Sequence, residues 1–549
     1  MTNRTSRFYW RGLANSGLLA LACAIGLPST GQAQSVGPLV KITGPDPFVN
    51  CTADGVAGQA GVNYPGTGIE PWVTVNPWDP RDLVAGWQQD RWSNGGSRGL
   101  MAGVRLDHGG AWSEVIPGKV TKCQGGAFDR ASDPWVDYSP SGVLYYMHLA
   151  FQRDLPDGAF GPNGMLVTRS FDGGRSWSDS TTLIFDTDPQ VLNDKNSLTA
   201  DPRLPPLAYA VWDRLQDFTL PPTHGEKAAT NGGGDGHDGV LMARARAKAL
   251  KAQAKARTAG VQAAAAVQFV GPAYLARTTT FGFNWEKPRI IFDPGDNAQT
   301  IDNLVVVPPN GTVVDFFTHI FTDGSIETDL VRSFDHGRSF GAAIMAATNL
   351  TAGGVVTPDA KEPVRDAAIL YSVTTSRRNG ALYIAWQDAR FNGGNYDEIA
   401  FAQSTDNGAT WSTPVRINQT PPNANPLRQQ AFIPAIEVGP RGELVVTYYD
   451  FRNDVSDGKE ATDYWAVFCD AKASDCANRA SWGRELRLTD ASFDMLNAPV
   501  ARGHFLGDYM GLKRAGNAVY PVFGLATGVN KTDIFTRKIR FGDDDVASD

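Results

Sequence analysis

Past residue 33 the chain has no apolar run long enough to cross a bilayer as a helix, which excludes a helical span there. Basic charge is also in deficit. Lys and Arg number 50 against 58 Asp and Glu, for a formal charge of -8, and an acidic surface argues against a nucleic-acid partner. Cysteine is scarce, with five in 549 residues, too few for a fold held together mainly by disulfides.

The first residues carry what the rest lacks. Arg4, Arg7 and Arg11 precede an apolar run from Leu13 to Leu27, followed by Pro28 and the small-residue site Gly31-Gln32-Ala33. This pattern predicts a secretory signal peptide over residues 1–33 and a periplasmic or secreted protein. A lipoprotein site at Cys23 is the rival, but Ala20-Leu21-Ala22-Cys23 lacks the usual Leu and apolar residues continue past it. Cleavage removes three Arg and no acid, moving the formal charge from -8 to -11. It leaves Cys51, Cys123, Cys469 and Cys476, an even number that suggests two bridges in an oxidising compartment. Their pairing is open at the level of sequence.

The body of the chain is organised around one octapeptide, Ser404-Thr405-Asp406-Asn407-Gly408-Ala409-Thr410-Trp411. Its Asp can accept backbone N–H bonds in a tight turn, its Gly supplies a positive φ, and its Trp returns as an apolar plug. It recurs as Ser170 to Trp177 and Ser333 to Phe340, with looser copies at Arg105 to Trp112, lacking the Ser, and Thr278 to Trp285, lacking the Asp. Between these turns lies a second repeat, an apolar run, a Pro, Asn or Gly turn, and another apolar run. Its copies start near Trp72, Trp135, Leu198, Leu304, Ile369, Pro434 and Asp508. Each unit therefore reads as four antiparallel strands, A to D, with the octapeptide in the C–D turn.

Seven A strands but only six C–D turns followed by a D strand leave the last unit short of one strand. Leu39 to Thr43 resembles the D strands Pro414 to Asn418 and Glu485 to Thr489, so an N-terminal strand is expected to complete the last sheet. The expected architecture is all-β, a seven-bladed propeller over 34–549, with six blades as the alternative. In the sixth unit Cys469 and Cys476 fall where the octapeptide is missing. A bridge between them would close that turn and leave Cys51 to pair with Cys123. An insertion over 215–271 interrupts the third unit; its Ala-rich part, with Arg244, Arg246, Lys248, Lys251, Lys255 and Arg257, is basic and helix-prone. It reads first as a solvated helix, and second as a lid or an arm for a partner.

The octapeptides at 170, 333 and 404 resemble the Asp-box, or bacterial neuraminidase repeat, of the sialidase superfamily, and the resemblance spans residues 38 to 541. It implies a secreted β-propeller, often a glycoside hydrolase, whose boxes are structural turns; Asp107, Asp172, Asp335 and Asp406 are accordingly read as structural. The Arg-Ile-Pro motif of true sialidases does not occur, since Phe432-Ile433-Pro434 carries Phe in place of Arg.

In a propeller the A strands line the central channel, and a site is expected where the D–A and B–C connections meet. Aligned A-strand entries are Glu70, Asp133, Lys195-Asn196, Asp302, Asp366, Ile433 and Asp508, mostly acidic, which would repel unless countered. Arginines at the B-strand ends, Arg91, Arg390 and Arg452, with Arg153 and Arg214 as looser equivalents, repeat and so read as structural ties. Groups that break the repeat include His319, Glu362 to Arg365, Arg428 and Arg502 to Tyr509. The preferred reading is a monomeric glycoside hydrolase acting on a glycan. Asp133, Asp366, Asp508 and Tyr509 are its catalytic candidates; Arg365, Arg502, His504 and Glu70 are its substrate-binding candidates. The alternatives are a non-catalytic glycan- or protein-binding propeller, and a lyase using His504 and Tyr509 beside Arg502. No cofactor is expected. A structural calcium at the acidic ring is the one metal considered, with Asp235 to Asp238 as a weaker place for it.

Overall fold

A computed structural model describes residues 34–153, 159–220 and 267–541. The expected leader, the segment Asp235 to Asp238 and the basic stretch of the insertion lie outside these residues. Among the described residues the fold is all-β, with no α-helix and only single 3-10 turns between strands.

The strands fall into successive antiparallel meanders. Their first strands are Gly68–Val75, Arg130–Tyr138, Val191–Ala200, Gln299–Val306, Tyr371–Thr375, Ala431–Val438 and Gly511–Ala515. Each pairs with the next strand in sequence, which pairs with a third, and a fourth completes the order in the meander Gln299–Val306, Val313–Ile320, Ile326–Ser333, Ile344–Thr348. The second strands are buried on both faces, as in Leu83–Arg91 and Glu443–Asp450, which explains their near-continuous apolar runs.

The last sheet takes its outer strand from the other end of the chain. Val40 and Lys41 pair with Thr536 and Phe535, and Gln34–Val36 pairs with Ile539–Phe541. Both termini of the described chain are thus knitted into one sheet, covering an edge that would otherwise stand open.

The octapeptide turns are held by the groups their chemistry suggests. Ser404 donates to Asp406 (2.8 Å) and accepts from the Gly408 N–H (2.9 Å), while Asp406 accepts from the Thr410 N–H (2.9 Å). The turns at Ser170 and Ser333 repeat this pattern. At Thr278 to Trp285 a hydroxyl does the work of the missing carboxylate: Thr280 Oγ1 accepts from the Asn284 N–H (2.9 Å). The copy at Arg105 lacks these side-chain bonds, and its Asp107 instead pairs with Arg175 (2.7 Å). Such bonds hold Asp335 and Asp406 below the ordinary carboxylate range, through Ser339 and Thr410 respectively.

Two disulfides are present, Cys51–Cys123 and Cys469–Cys476, separated by 72 and 7 residues. The second occupies the turn of the sixth meander. Loop-closure entropy predicts unequal value: losing the long bridge should cost roughly 4 kcal/mol and losing the short one roughly 2 kcal/mol. Urea unfolding of the two Cys→Ser pairs, one bridge at a time, measures that order, and equal losses would contradict it.

Candidate functional site

The site begins with a backbone irregularity that recurs. In five first strands the pairing register slips, between Ile69 and Trp72, Ser132 and Trp135, Asp194 and Ser197, Ile301 and Leu304, and Phe432 and Ala435. The first residue of each slip is left-handed: Glu70 (φ 52), Asp133 (φ 51), Lys195 (φ 46), Asp302 (φ 63) and Ile433 (φ 52). A bulge of this kind re-aims a side chain, and positive φ at a non-glycine residue is a local strain that the surrounding structure must hold. The aligned strand entries are therefore one structural feature. In the fifth meander the left-handed residue is Ala367 (φ 49), so Asp366 stands one place earlier with different neighbours.

The bulges bring Glu70, Asp133 and Lys195 together with Asp508. Lys195 Nζ lies 2.5 Å from Asp508, 3.9 Å from Asp133 and 4.0 Å from Glu70. Arg365 grips the same Asp508 with two nitrogens, Nε at 2.9 Å and Nη2 at 2.5 Å. Glu70 accepts from the Asp508 N–H (3.2 Å) and from Gln88, which also donates to Ser132 (3.0 Å). All these charged groups are buried.

Burial and charge compete differently at each group. Burial would raise Asp508, but Arg365 and Lys195 outweigh it and hold the carboxyl well below the usual range. Burial would lower Lys195, yet Asp508, Asp133 and Glu70 outweigh it and hold the ammonium well above its ordinary value. Glu70 goes the other way, pushed up to about 8 by burial against the pull of Lys195, with Asp508 and Asp133 raising it further. Three carboxyl groups face two cations in direct contact, and a proton on Glu70 evens the count.

This has a pH consequence. Folded Glu70 keeps its proton to about pH 8, whereas an unfolded glutamate loses it near ~4.3. Over that interval the folded state binds more protons, so Glu70 withdraws stability as pH rises. Glu70→Gln should remove this slope. Urea midpoints at pH 5 and pH 8 should fall less for the variant than for the wild type, and parallel falls would refute the assignment.

A segment seals the ring. Val364–Arg365 pairs in parallel with His504–Phe505, and Phe505 packs with Ile69 and Ala501 in a fully buried cluster. Arg365 lies 4.1 Å and Arg91 5.1 Å from the centre of the Phe505 ring. Two glycines permit the close approach. At Gly503 (φ 134) a Cβ would come within 2.7 Å of the Arg365 nitrogen, and at Gly507 (φ 142) within 2.8 Å of the Glu70 nitrogen. Gly507→Ala should cost roughly 3 kcal/mol through overpacking and backbone strain. Thermal unfolding tests this, and an unchanged midpoint would show that the segment can lift without penalty.

Below the ring runs an axial cavity of about 650 Å3. It extends from Asp302, Asp366 and Asp508 past Trp72, Trp135, Tyr371 and Tyr509 to the A–B turns, where Pro77, Pro80 and Pro202 are exposed. Access is thus from the A–B turn end, not from the D–A side where the sequence suggested a site, because the Arg502 to Tyr509 segment covers that side. Trp72 and Trp135 stack (3.6 Å between centres), and Tyr509 meets both edge-on at 5.9 and 5.6 Å. The Tyr509 hydroxyl has no hydrogen-bond partner, and burial holds its pKa well above the ordinary value.

The three carboxylates at the ring end of the cavity differ in what occupies them. Asp508 is taken by Arg365 and Lys195. Asp366 accepts from the Val355 N–H and from Gln387, both at 2.9 Å. Burial pushes the Asp302 carboxyl up to about 7, against the pull of Lys195 and of a hydrogen bond from the Tyr371 N–H.

The structure thus brings Glu70, Asp133, Asp508, Tyr509 and Arg365 to one place. Asp366 lines the same cavity with separate partners. Arg502, half-buried at a left-handed turn (φ 65), and His504, whose Nδ1 lies 3.3 Å from the Ala498 carbonyl oxygen, belong to the covering segment and do not line the cavity. Sequence reasoning listed Lys195 and Asp302 as ring positions without giving either a role. Lys195 carried a signal, as the one cation among acidic entries. Of the repeated arginines, Arg91 acts on Glu70 by its charge, while others pair with local acids. Arg390 pairs with Asp388 (2.7 Å), Arg452 with Asp450 (2.5 Å) and Glu485, and Arg214 with Asp186 (2.6 Å). The only set of three His, Cys, Asp or Glu side chains among the described residues with converging ligand atoms is Cys51, Asp54 and Cys123, whose cysteines are bridged to each other. The ring acids do not form such a set.

No family model and no curated protein matches the chain. Solved structures similar to it include a protein of unknown function from Dyadobacter fermentans, at 13% identity over 87% of this chain and 96% of that one, with a TM-score of 0.43. A Hadza microbial sialidase is 14% identical over 83% and 76%, with a TM-score of 0.42. An α-L-arabinanase from Penicillium chrysogenum, solved with arabinobiose, is 13% identical over 75% and 94%, with a TM-score of 0.42. Similarity this weak bears on neither the substrate nor the chemistry of this chain.

Proposed function

We propose that the protein is a secreted glycoside hydrolase built as a seven-bladed propeller, each meander a blade, with its chemistry in the axial cavity. One observation carries the reading: the cavity is lined by carboxyl groups in opposite states. Asp302, raised to about 7 by burial against the pull of Lys195 and the Tyr371 N–H, holds a proton near neutral pH. Asp508, held low by Arg365 and Lys195, is ionised. Glycosidic cleavage needs one carboxyl group of each kind, one to protonate the leaving oxygen and one to act as base or nucleophile. In this assignment Asp302 is the acid and Asp508 the ionised partner. Tyr509, with its free hydroxyl, stands beside them, and Trp72 and Trp135 form an apolar wall. Glu70, Asp133 and Arg365 act behind Asp508 as positioning groups.

The test is incubation of the purified protein with a broad panel of acidic and neutral glycans, scored for released reducing sugar. Release from at least one is expected, and none from any would overturn the reading. A second reading, a non-catalytic binding propeller, is favoured by the saturation of Asp508, whose two cations leave it little capacity as a nucleophile. Binding without release in the same panel would select it.

A further inference from the structure

We propose that the A–B turn face binds an acidic polysaccharide, through a ring of cations at the mouth of the axial cavity flanked by an exposed tryptophan. Arg203, Arg377, Lys513 and Arg514 all line the cavity on the A–B side. None makes an ion pair or side-chain hydrogen bond among the described residues, whereas many other arginines of the chain are paired. The two acids in the same stretch are occupied: Asp137 accepts from Thr74 (3.1 Å) and the Ala200 N–H (3.0 Å), and Glu437 from the Val438 N–H (2.8 Å). Arg514 is depressed by burial and by the like charge of Arg377, which outweigh Glu437 and Glu443 nearby, so two cations are held close with no direct ion pair. Four cations at one mouth, none in a direct ion pair among the described residues, focus anions onto one spot of a protein of formal charge -8.

The second element is aromatic. Trp78 is 71% exposed, and its indole nitrogen donates to the Pro140 carbonyl (3.1 Å), which fixes the ring beside the mouth. A sugar ring is flat and partly apolar on its face, so a rigid exposed indole next to cations suits a chain that alternates apolar ring faces with carboxylate or sulfate groups. The C–D turns lie at the same end of the strands and add Phe171 and Phe283, both exposed and stacked at 5.9 Å, with Arg169 over Phe283 at 4.2 Å.

The inference names the substrate class of the proposed cavity and rests on that reading for the use of the mouth as an entrance. Its test reads binding, not turnover, so the two can fail separately. Calorimetric titration of the whole protein with polygalacturonate, dextran sulfate and neutral dextran should show binding of one or both polyanions and none of the neutral polymer. Arg377→Ala combined with Arg514→Ala should weaken binding about tenfold or more, and Trp78→Ala should weaken it with unchanged salt dependence. These side chains are partly or fully exposed, so the variants should keep the wild-type unfolding midpoint. Absence of binding to both polyanions, equal binding of neutral dextran, or wild-type affinity in the double arginine variant would each overturn the inference.

Discussion

Lys195→Met is expected to cost the fold about 3–5 kcal/mol, the range for removing one partner from a buried ion pair. Met fills nearly the same space, so the loss is electrostatic rather than a cavity. Among the described residues Lys195 Nζ is the only cation within 4.0 Å of Glu70, Asp133 and Asp508 alike. Without it Arg365 must balance Asp508 alone, and Asp133 is left without its nearest counterion. Adding Asp508→Asn to Lys195→Met should recover part of the loss, because the charge that needed compensation has gone. Urea midpoints of the two singles and the double measure this. Strict additivity would mean that Lys195 and Asp508 do not act as a pair, against their 2.5 Å contact.

The second large effect concerns chemistry. On any glycan the protein cleaves, Asp302→Asn should lower kcat/KM by about 10²–10⁴-fold, the usual contribution of a positioned proton donor. The Asp302 carboxyl accepts from the Tyr371 N–H, which the Asn amide oxygen can also do, so the variant should unfold near the wild-type midpoint, separating loss of activity from loss of structure. The pH profile gives an independent reading. With the acid raised to about 7, wild-type kcat/KM should fall as pH rises through that value, since deprotonated Asp302 has nothing to donate. A variant that retained more than a tenth of the activity would remove Asp302 from the mechanism.

The sequence revealed the repeat because tight turns have strict chemistry. Ser404, Asp406 and Gly408 each meet a local backbone need, and local needs leave a linear signature. The strand that joins the last sheet was legible for the same reason, Leu39 to Thr43 looking like the outer strands of other units. Ring positions were also visible by alignment, although only the structure explains why they align, as first residues of a recurring bulge. What could not be read was which charges meet. Asp508 and Lys195 are 313 residues apart, and their contact depends on how the Arg502 to Tyr509 segment folds back over the ring. The arginine repeat pointed elsewhere because its partners are local acids such as Asp388 and Asp450. The cavity's entrance was misplaced for the same reason: the loop that shuts the expected side is itself an exception to the repeat. Trp78 carries no such signal, because exposure of a single side chain has no linear signature at all.

The joined chain ends govern the order of events during synthesis. Val40 finds its strand partner at Thr536, almost the full length of the described chain away. Each inner meander draws on neighbours in sequence and can form as it emerges, but the final sheet must wait for residues made last. Until then the N-terminal strand has no place to pair, and the last sheet is incomplete for nearly all of the chain's time on the ribosome.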